Sequence, residues 1–488
     1  MPGSSRPVPA ALRRPLVLAA VLIALVKALE FAADSQALFF PDSGAYVINA
    51  VRWAFIPLRS YVYGDLIRIF ALPFHALPAI VAMQVSMGAI TAWLLAFALL
   101  RFFGVRHWIG ILAALVFAID PVQIVHERMV MTETSTLLAM AILLVTALWY
   151  LERPTDLKLV ALALEGVFLV SLRIVYLPVV LAAAVLLPLA GFSASPVKKL
   201  PHLVRALAVS CLATLLFQSG YQHLTGRLAH REPAYHYSTG AFLLASVSPL
   251  IEPADSRDPR VAQLIEAQRS SRARLSMDFR ASQLWDPDGL IARIRAVYGN
   301  DESVTDRAAR EVAVAAIRRN PFGYLKLAAN TWLDYWRHLP KSRWMLESEN
   351  GMQPPNTILP YDLRAIRAGF HVDVSAQDQW HTPSRRYHVA NAKWQVFLLL
   401  APFLAGLACL LRSANPQGAA LLFGWGVLVL AAVCLGAAES AYRYLHPFSF
   451  LSLAACAMLA DELLRRKPEQ HRKLNQNRAV ALAQPPAR

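Results

Sequence analysis

The chain carries no Walker loop, no dinucleotide-binding glycine pattern and no zinc motif. It therefore lacks the usual devices for cradling a nucleotide phosphate or ligating a structural metal. Cysteine is scarce. Cys211, Cys409, Cys434 and Cys456 are the only four in 488 residues, and each falls inside an apolar run. They read as small buried apolar side chains, which excludes a disulfide framework or a cysteine metal site. Charge is scarce too. Only 16% of residues are Asp, Glu, Lys or Arg, 56% are hydrophobic, and mean hydropathy is +0.41. A soluble chain this apolar has too little polar surface to cover its core, so the composition points to a polytopic membrane protein. Matching halves are also missing, which argues against an inverted-repeat transporter.

What is present is a series of apolar windows. They lie at 16–33, 76–100, 108–121, 134–151, 158–172, 175–192, 203–219, 393–411, 417–436 and 444–461. Counted at roughly 20 residues per bilayer crossing, the expectation is about ten transmembrane helices. The first window follows basic residues, as in a signal peptide, but its length favours an uncleaved anchor helix. The net charge is +16, and its placement is informative. With the N-terminus in the cytoplasm, one side receives Arg6, Arg13, Arg14, Arg101, Arg106, Arg153, Lys158, Lys198, Lys199, Arg205, Arg412, Arg465, Arg466 and Lys467. That is the positive-inside pattern, with both termini cytoplasmic. Cations dispersed among short membrane loops do not make a nucleic-acid surface, so no nucleic-acid partner is expected.

Three membrane-related parts and a tail follow. Residues 1–219 form an N-terminal block of about seven helices. Residues 220–392 form one large hydrophilic insertion, exempt from the charge rule by its length and placed outside. Residues 393–461 add about three helices, and 462–488 is a basic tail expected to be disordered. Within the insertion, Thr305-Asp306 can cap a helix that stops at Asn320-Pro321. Phe322 to Trp336 follows as an aromatic amphipathic stretch, suited either to the membrane boundary or to packing within the insertion. Residues 340–390, rich in Pro, Asn, Gln and His, read as irregular loops.

Chemistry-bearing residues cluster on the outer side of this scheme. Phe40-Pro41-Asp42-Ser43-Gly44-Ala45-Tyr46 follows the first window and leads into an amphipathic helix. Asp42 is placed for chemistry on a lipid-linked substrate, and equally for capping that helix. Tyr46, four residues on, shares its face, and Asp65 is a second, weaker acidic candidate in the same loop. The next outward loop, Asp120 to Thr134, holds His126, Glu127, Arg128 and Glu133, where a helix entering the membrane is normally apolar. Ionisable groups at that depth default to a functional reading, although Glu133 also suits a helix N-terminus. Lys27 and Glu30 lie three residues apart in the first span and can pair. Arg173, beside the tight connection before Pro178, and Tyr442-Arg443-Tyr444, before the last span, add cations at the same level. Such cations either snorkel at the interface or bind a phosphate.

These pieces resemble the GT-C superfamily of integral membrane glycosyltransferases, in particular its bacterial protein-mannosyltransferase and aminoarabinose-transferase branch. The resemblance rests on Pro41-Asp42-Ser43-Gly44-Ala45-Tyr46, Met131-Thr132-Glu133-Thr134, Leu172-Arg173 with Pro178, and Tyr442-Arg443-Tyr444 with Pro447. Asn320-Pro321 with Tyr324-Leu325 adds a fifth element. It implies an all-α polytopic fold with a mainly helical extracytoplasmic insertion, in a bacterial inner membrane. The implied donor is a polyprenyl-phosphate sugar, and the acceptor a hydroxyl on a membrane lipid, glycan or protein. Asp42, with Glu133, would be catalytic. Tyr46, Glu127, Arg128, Lys27, Arg173, Tyr442 and Arg443 would bind substrate. The family often has Asp-Glu at the first motif, and here Ser43 replaces the second acid. No cofactor is therefore certain, and the divalent metal that such a pair can hold is in doubt. Two other classes stay open. One is a ligase or polymerase acting through loop cations such as Arg337-His338 and Arg385-Arg386-Tyr387-His388, and the other is a lipid or solute transporter.

Overall fold

The computed structural model describes residues 10–40, 42–56, 59–194, 200–268, 277–337, 360–375, 377–378, 381–391, 396–411, 415–438 and 442–483. Among these, every regular element is helical, and the one β pairing is a single parallel bridge between Leu38 and Met129. In chain order the first ten helices are α1 (Ala10–Ala33), α2 (Ser43–Arg52), α3 (Tyr61–Phe70), α4 (Leu77–Arg101), α5 (His107–Ala118), α6 (Pro121–His126), α7 (Glu133–Glu152), α8 (Asp156–Leu172), α9 (Leu177–Ala194) and α10 (Leu200–Ala229).

Six segments among the described residues are long and apolar enough to cross a bilayer: α1, α4, α7, Ile174–Ser193, α10 and Pro416–Gly436. They mark the chain as a membrane protein. The ten windows of the sequence exceed this count for physical reasons. Helix α5 has 12 residues, about 18 Å at roughly 1.5 Å each, and α6 resumes three residues after its end. Helix α8 has 17 residues and carries Asp156, Lys158 and Glu165. Val396–Leu411 has 16 residues. The last helix, Phe448–Ala483, is long, but it carries Asp461, Glu462 and Arg465 within its first eighteen residues. That helix also runs through most of the tail expected to be disordered.

Membrane helices sort their side chains by face. On α1, Leu16, Ala19, Ile23 and Lys27 are buried, while Val17, Val21, Leu25 and Leu29 are exposed. An exposed apolar stripe is unfavourable in water and natural against lipid. One continuous core joins α1 through α9 to Trp425, Val429, Leu445, Phe448 and Leu451 of the C-terminal block. Chain ends far apart in sequence thus share one interior.

The insertion has a core of its own, built from Leu244, Ile251, Val261, Ile265, Leu290, Ile294 and Val312. Its main helix spans Glu302–Arg319 and stops at Asn320 as the sequence predicts, but it begins three residues before Thr305. Asp301 caps it by accepting from Ser303 N and Val304 N. Asp306 instead accepts the Ala241 amide at 3.0 Å, tying in the helix Thr239–Val247. The aromatic stretch is the helix Pro321–Arg337. It packs on a membrane helix, since the Tyr324 hydroxyl donates to Leu435 O at 2.9 Å. Within 340–390, the helices Pro360–Phe370 and Pro383–Ala390 form where loops were expected. Each starts at a proline, whose fixed φ suits a first helical turn.

Candidate functional site

Asp42 occupies the N-cap position of α2, but its side chain makes no cap hydrogen bond. Ser43 closes the turn instead. Its hydroxyl accepts from Phe40 N at 2.7 Å, and its own amide donates to Phe40 O at 2.9 Å. The Asp42 carboxylate is thereby left to face Arg59, which it pairs with directly, and Arg443, whose Nη1 lies 3.8 Å from Oδ2. The Arg59 and Asp42 side chains are 19% and 21% exposed, so a ligand can reach both. Burial alone would raise the Asp42 pKa, yet the Arg59 and Arg443 charges outweigh it and hold the carboxyl below its usual value.

Two short helices position these groups. Helix α2 ends at Trp53, a left-handed residue with φ 54°, and Arg68 stacks 4.4 Å over its ring. Ser60 then caps α3, directly after Arg59. Tyr46 on α2 and Tyr63 on α3 meet edge-to-face at 4.9 Å. Burial, reinforced by the Asp42 charge, pushes the Tyr46 hydroxyl up, so it remains a donor at neutral pH. His236, from the insertion, is driven down to about 4 by burial and the Arg59 charge, and is neutral there. Asp65 sits further along α3, half-buried near Arg68.

Arg443 comes from the short turn Tyr442–Leu445 before the last helix. Its guanidinium lies 5.2 Å over the Tyr444 ring and donates to the Tyr444 hydroxyl at 3.3 Å. Arg173 lies 5.3 Å over a ring of the same tyrosine. It pairs with Glu133 in the first turn of α7 and donates to Thr132 Oγ1 at 3.2 Å. Asp42, Glu133, Tyr46, Arg173 and Arg443 are therefore neighbours, as the sequence pattern anticipates. The Tyr442 side chain lies outside the described residues.

Lys27, Glu127 and Arg128 form a second, closed cluster. Glu127 is fully buried and takes Lys27 Nζ at 3.0 Å and Arg128 Nη1 at 3.1 Å. Lys27 also pairs with Glu30 at 2.8 Å. Arg128 donates further to the carbonyls of Glu30, Asp34 and Ile124. Gln123 Nε2 donates to Glu127 at 2.8 Å, and its Oε1 accepts from His446 Nε2 at 2.8 Å. The bridge Leu38–Met129 fastens the Asp42 loop to this cluster. Its charges are matched internally, so it reads as the frame of the site. The rings of His446 and His126 meet at a tilt, 4.3 Å apart, and burial lowers the pKa of both.

Sequence reasoning passes over Arg59. Its signal was available: the positive-inside scheme puts the loop between Ala33 and Leu77 outside, where an arginine is out of pattern. Among the described residues, no group of three or more His, Cys, Asp or Glu side chains is disposed to hold a metal ion. The partners of Asp42 are guanidiniums, the reverse of what a divalent cation requires, so the residues do not fit a metal here. Of the loop cations, Arg385 and His388 are buried beside α6, Arg337 pairs with Asp334 at 3.3 Å, and His338 lies outside the described residues. No family model, curated protein or solved structure matches the chain.

Proposed function

We propose that the chain is an integral membrane glycosyltransferase of GT-C type, with ten spans when the shorter apolar helices and the last helix are counted and both termini cytoplasmic. It would move a sugar from a polyprenyl-phosphate donor to an acceptor hydroxyl at the outer face of a bacterial inner membrane. The observation that carries this reading is the meeting of Asp42, from the first block, with Arg443, from the last, in a half-open site. A carboxylate that accepts a proton, beside cations that receive a phosphate, is what inverting transfer from a lipid phosphate requires.

In this reading Asp42 takes the proton of the acceptor hydroxyl as its oxygen attacks the anomeric carbon. Arg443 and Arg173 stabilise the departing phosphate, and Tyr46 orients a substrate oxygen as a hydrogen-bond donor. Glu133 holds Arg173 in position. Lys27, Glu127 and Arg128 support the loops that carry the site, a structural role in place of direct substrate contact.

The test is transfer by purified Asp42→Asn from a radiolabelled polyprenyl-phosphate sugar. Loss of a general base costs typically 10²–10⁴-fold in rate, with donor binding retained. Full activity in this variant would rule out the base assignment.

A further inference from the structure

The coupling inferred below rests on the transferase reading and begins with the charge around Asp42. The groups that act on the Asp42 carboxylate are Arg59, Arg443 and Arg173. Glu133 pairs with Arg173. Tyr46, Tyr63, His126, His236 and His446 lie nearby as neutral groups. Asp362, also buried, lies against Gly44 in the first turn of α2. Within the cluster, the three arginines Arg59, Arg173 and Arg443 face the carboxylates of Asp42 and Glu133, with Asp362 a third acid close by. A sugar phosphodiester carries one negative charge, so on arrival it competes with these carboxylates for the arginines.

Transfer then moves charge within the site without changing its total. The acceptor O–H breaks and its proton goes to an Asp42 oxygen, making that carboxyl neutral. The acceptor oxygen forms the new bond to the anomeric carbon. The old carbon–oxygen bond breaks, and its electron pair stays on the phosphate, which passes from one negative charge to two. One negative charge has left Asp42 and one has appeared on the phosphate. The guanidiniums of Arg59 and Arg443 already lie at the Asp42 end of that movement.

We propose that Arg59, together with Arg443, couples the base to the leaving group: the guanidinium holds the Asp42 carboxylate in the empty site and passes to the lipid phosphate as Asp42 gains its proton. Two consequences follow. The arginines clamp Asp42 until a phosphate competes for them, so proton abstraction waits for the donor. The transfer step also leaves the total charge of the site unchanged, since Asp42 loses the negative charge that the phosphate gains.

The test uses the full-length protein and polyprenyl phosphate without sugar as the probe, its binding measured in parallel. The readout is the pH midpoint of Asp42 protonation, followed as the infrared carboxyl band that Asp42→Asn removes. In the wild type, polyprenyl phosphate should raise that midpoint, and each pH unit by which it rises increases the protonated fraction about tenfold. In Arg59→Gln the midpoint should already be high in the empty protein, and the phosphate should move it less. An unmoved wild-type midpoint with polyprenyl phosphate bound, or an equal displacement in Arg59→Gln, would overturn the coupling. Should Arg59→Gln fail to fold, Arg59→Lys serves, since it keeps the charge but loses the two-pronged geometry. It should show an intermediate empty-state midpoint, and a wild-type value there would count against the proposal. Full transfer by Asp42→Asn would remove the base reading itself, whereas an inactive Asp42→Asn with an unmoved wild-type midpoint would remove the coupling alone.

Discussion

At the residue scale, the contrast between Asp42 and Glu127 is instructive. Both are carboxylates facing two cations, but one is a fifth exposed and the other not at all. An accessible pair can exchange partners, whereas a sealed one only holds structure. Glu127 also packs on Gly88, where an added Cβ would collide with its Oε1. Glu127→Ala leaves Lys27 and Arg128 buried without their partner, and should destabilise the protein by about 3–5 kcal/mol. Thermal unfolding in detergent measures this, and an unchanged Tm would refute the framing role. The pH behaviour of Asp42 has a definite sign. Its carboxyl is held below its ordinary value, so its ion pairs stabilise the fold above the usual aspartate range near pH 3.9. That stability disappears only as pH falls through the lower native value.

At the element scale, small helices and turns do the positioning. Helices α2 and α3 bring Asp42, Tyr46, Arg59 and Tyr63 within one hairpin, and Ser43, not Asp42, closes the entry turn. The capping role that the sequence offered Asp42 fails because a neighbouring hydroxyl takes over the turn while two guanidiniums attract the carboxylate. In the insertion, the helix Thr239–Val247 lies flush on Glu302–Arg319 at Gly240, where a Cβ would collide with the backbone oxygen of Asp306. Gly240→Ala should part these helices at a cost of about 1–3 kcal/mol. Faster proteolysis within 220–392 is the expected result, and wild-type resistance would contradict the contact.

At the scale of the whole molecule, the chain is a helical membrane protein whose first and last blocks share one core. The positive-inside pattern predicts that reporter fusions after Arg106 and Arg205 lie in the cytoplasm and one after His230 lies outside. A fusion after His230 that reports the cytoplasm would invert the scheme and the placement of Asp42. Much of this was legible in the chain itself. Hydropathy fixes the class, because apolar windows of bilayer length have few other fates. The breaks at Asn320-Pro321 and after Ala33 follow from local chemistry. The unusual charges at 42, 133, 173 and 443 stood out because an apolar background makes each ion costly. Other features needed tertiary structure. How far the helix of an apolar window runs depends on its neighbours, so α5 stops at 12 residues. Whether a charge is a tool or a strut depends on its partners, as Lys27 and Arg128 demonstrate by closing on Glu127. And Arg59 joined Asp42 only through the α2–α3 hairpin, because electrostatic attraction acts through space, across a separation that no sequence spacing encodes.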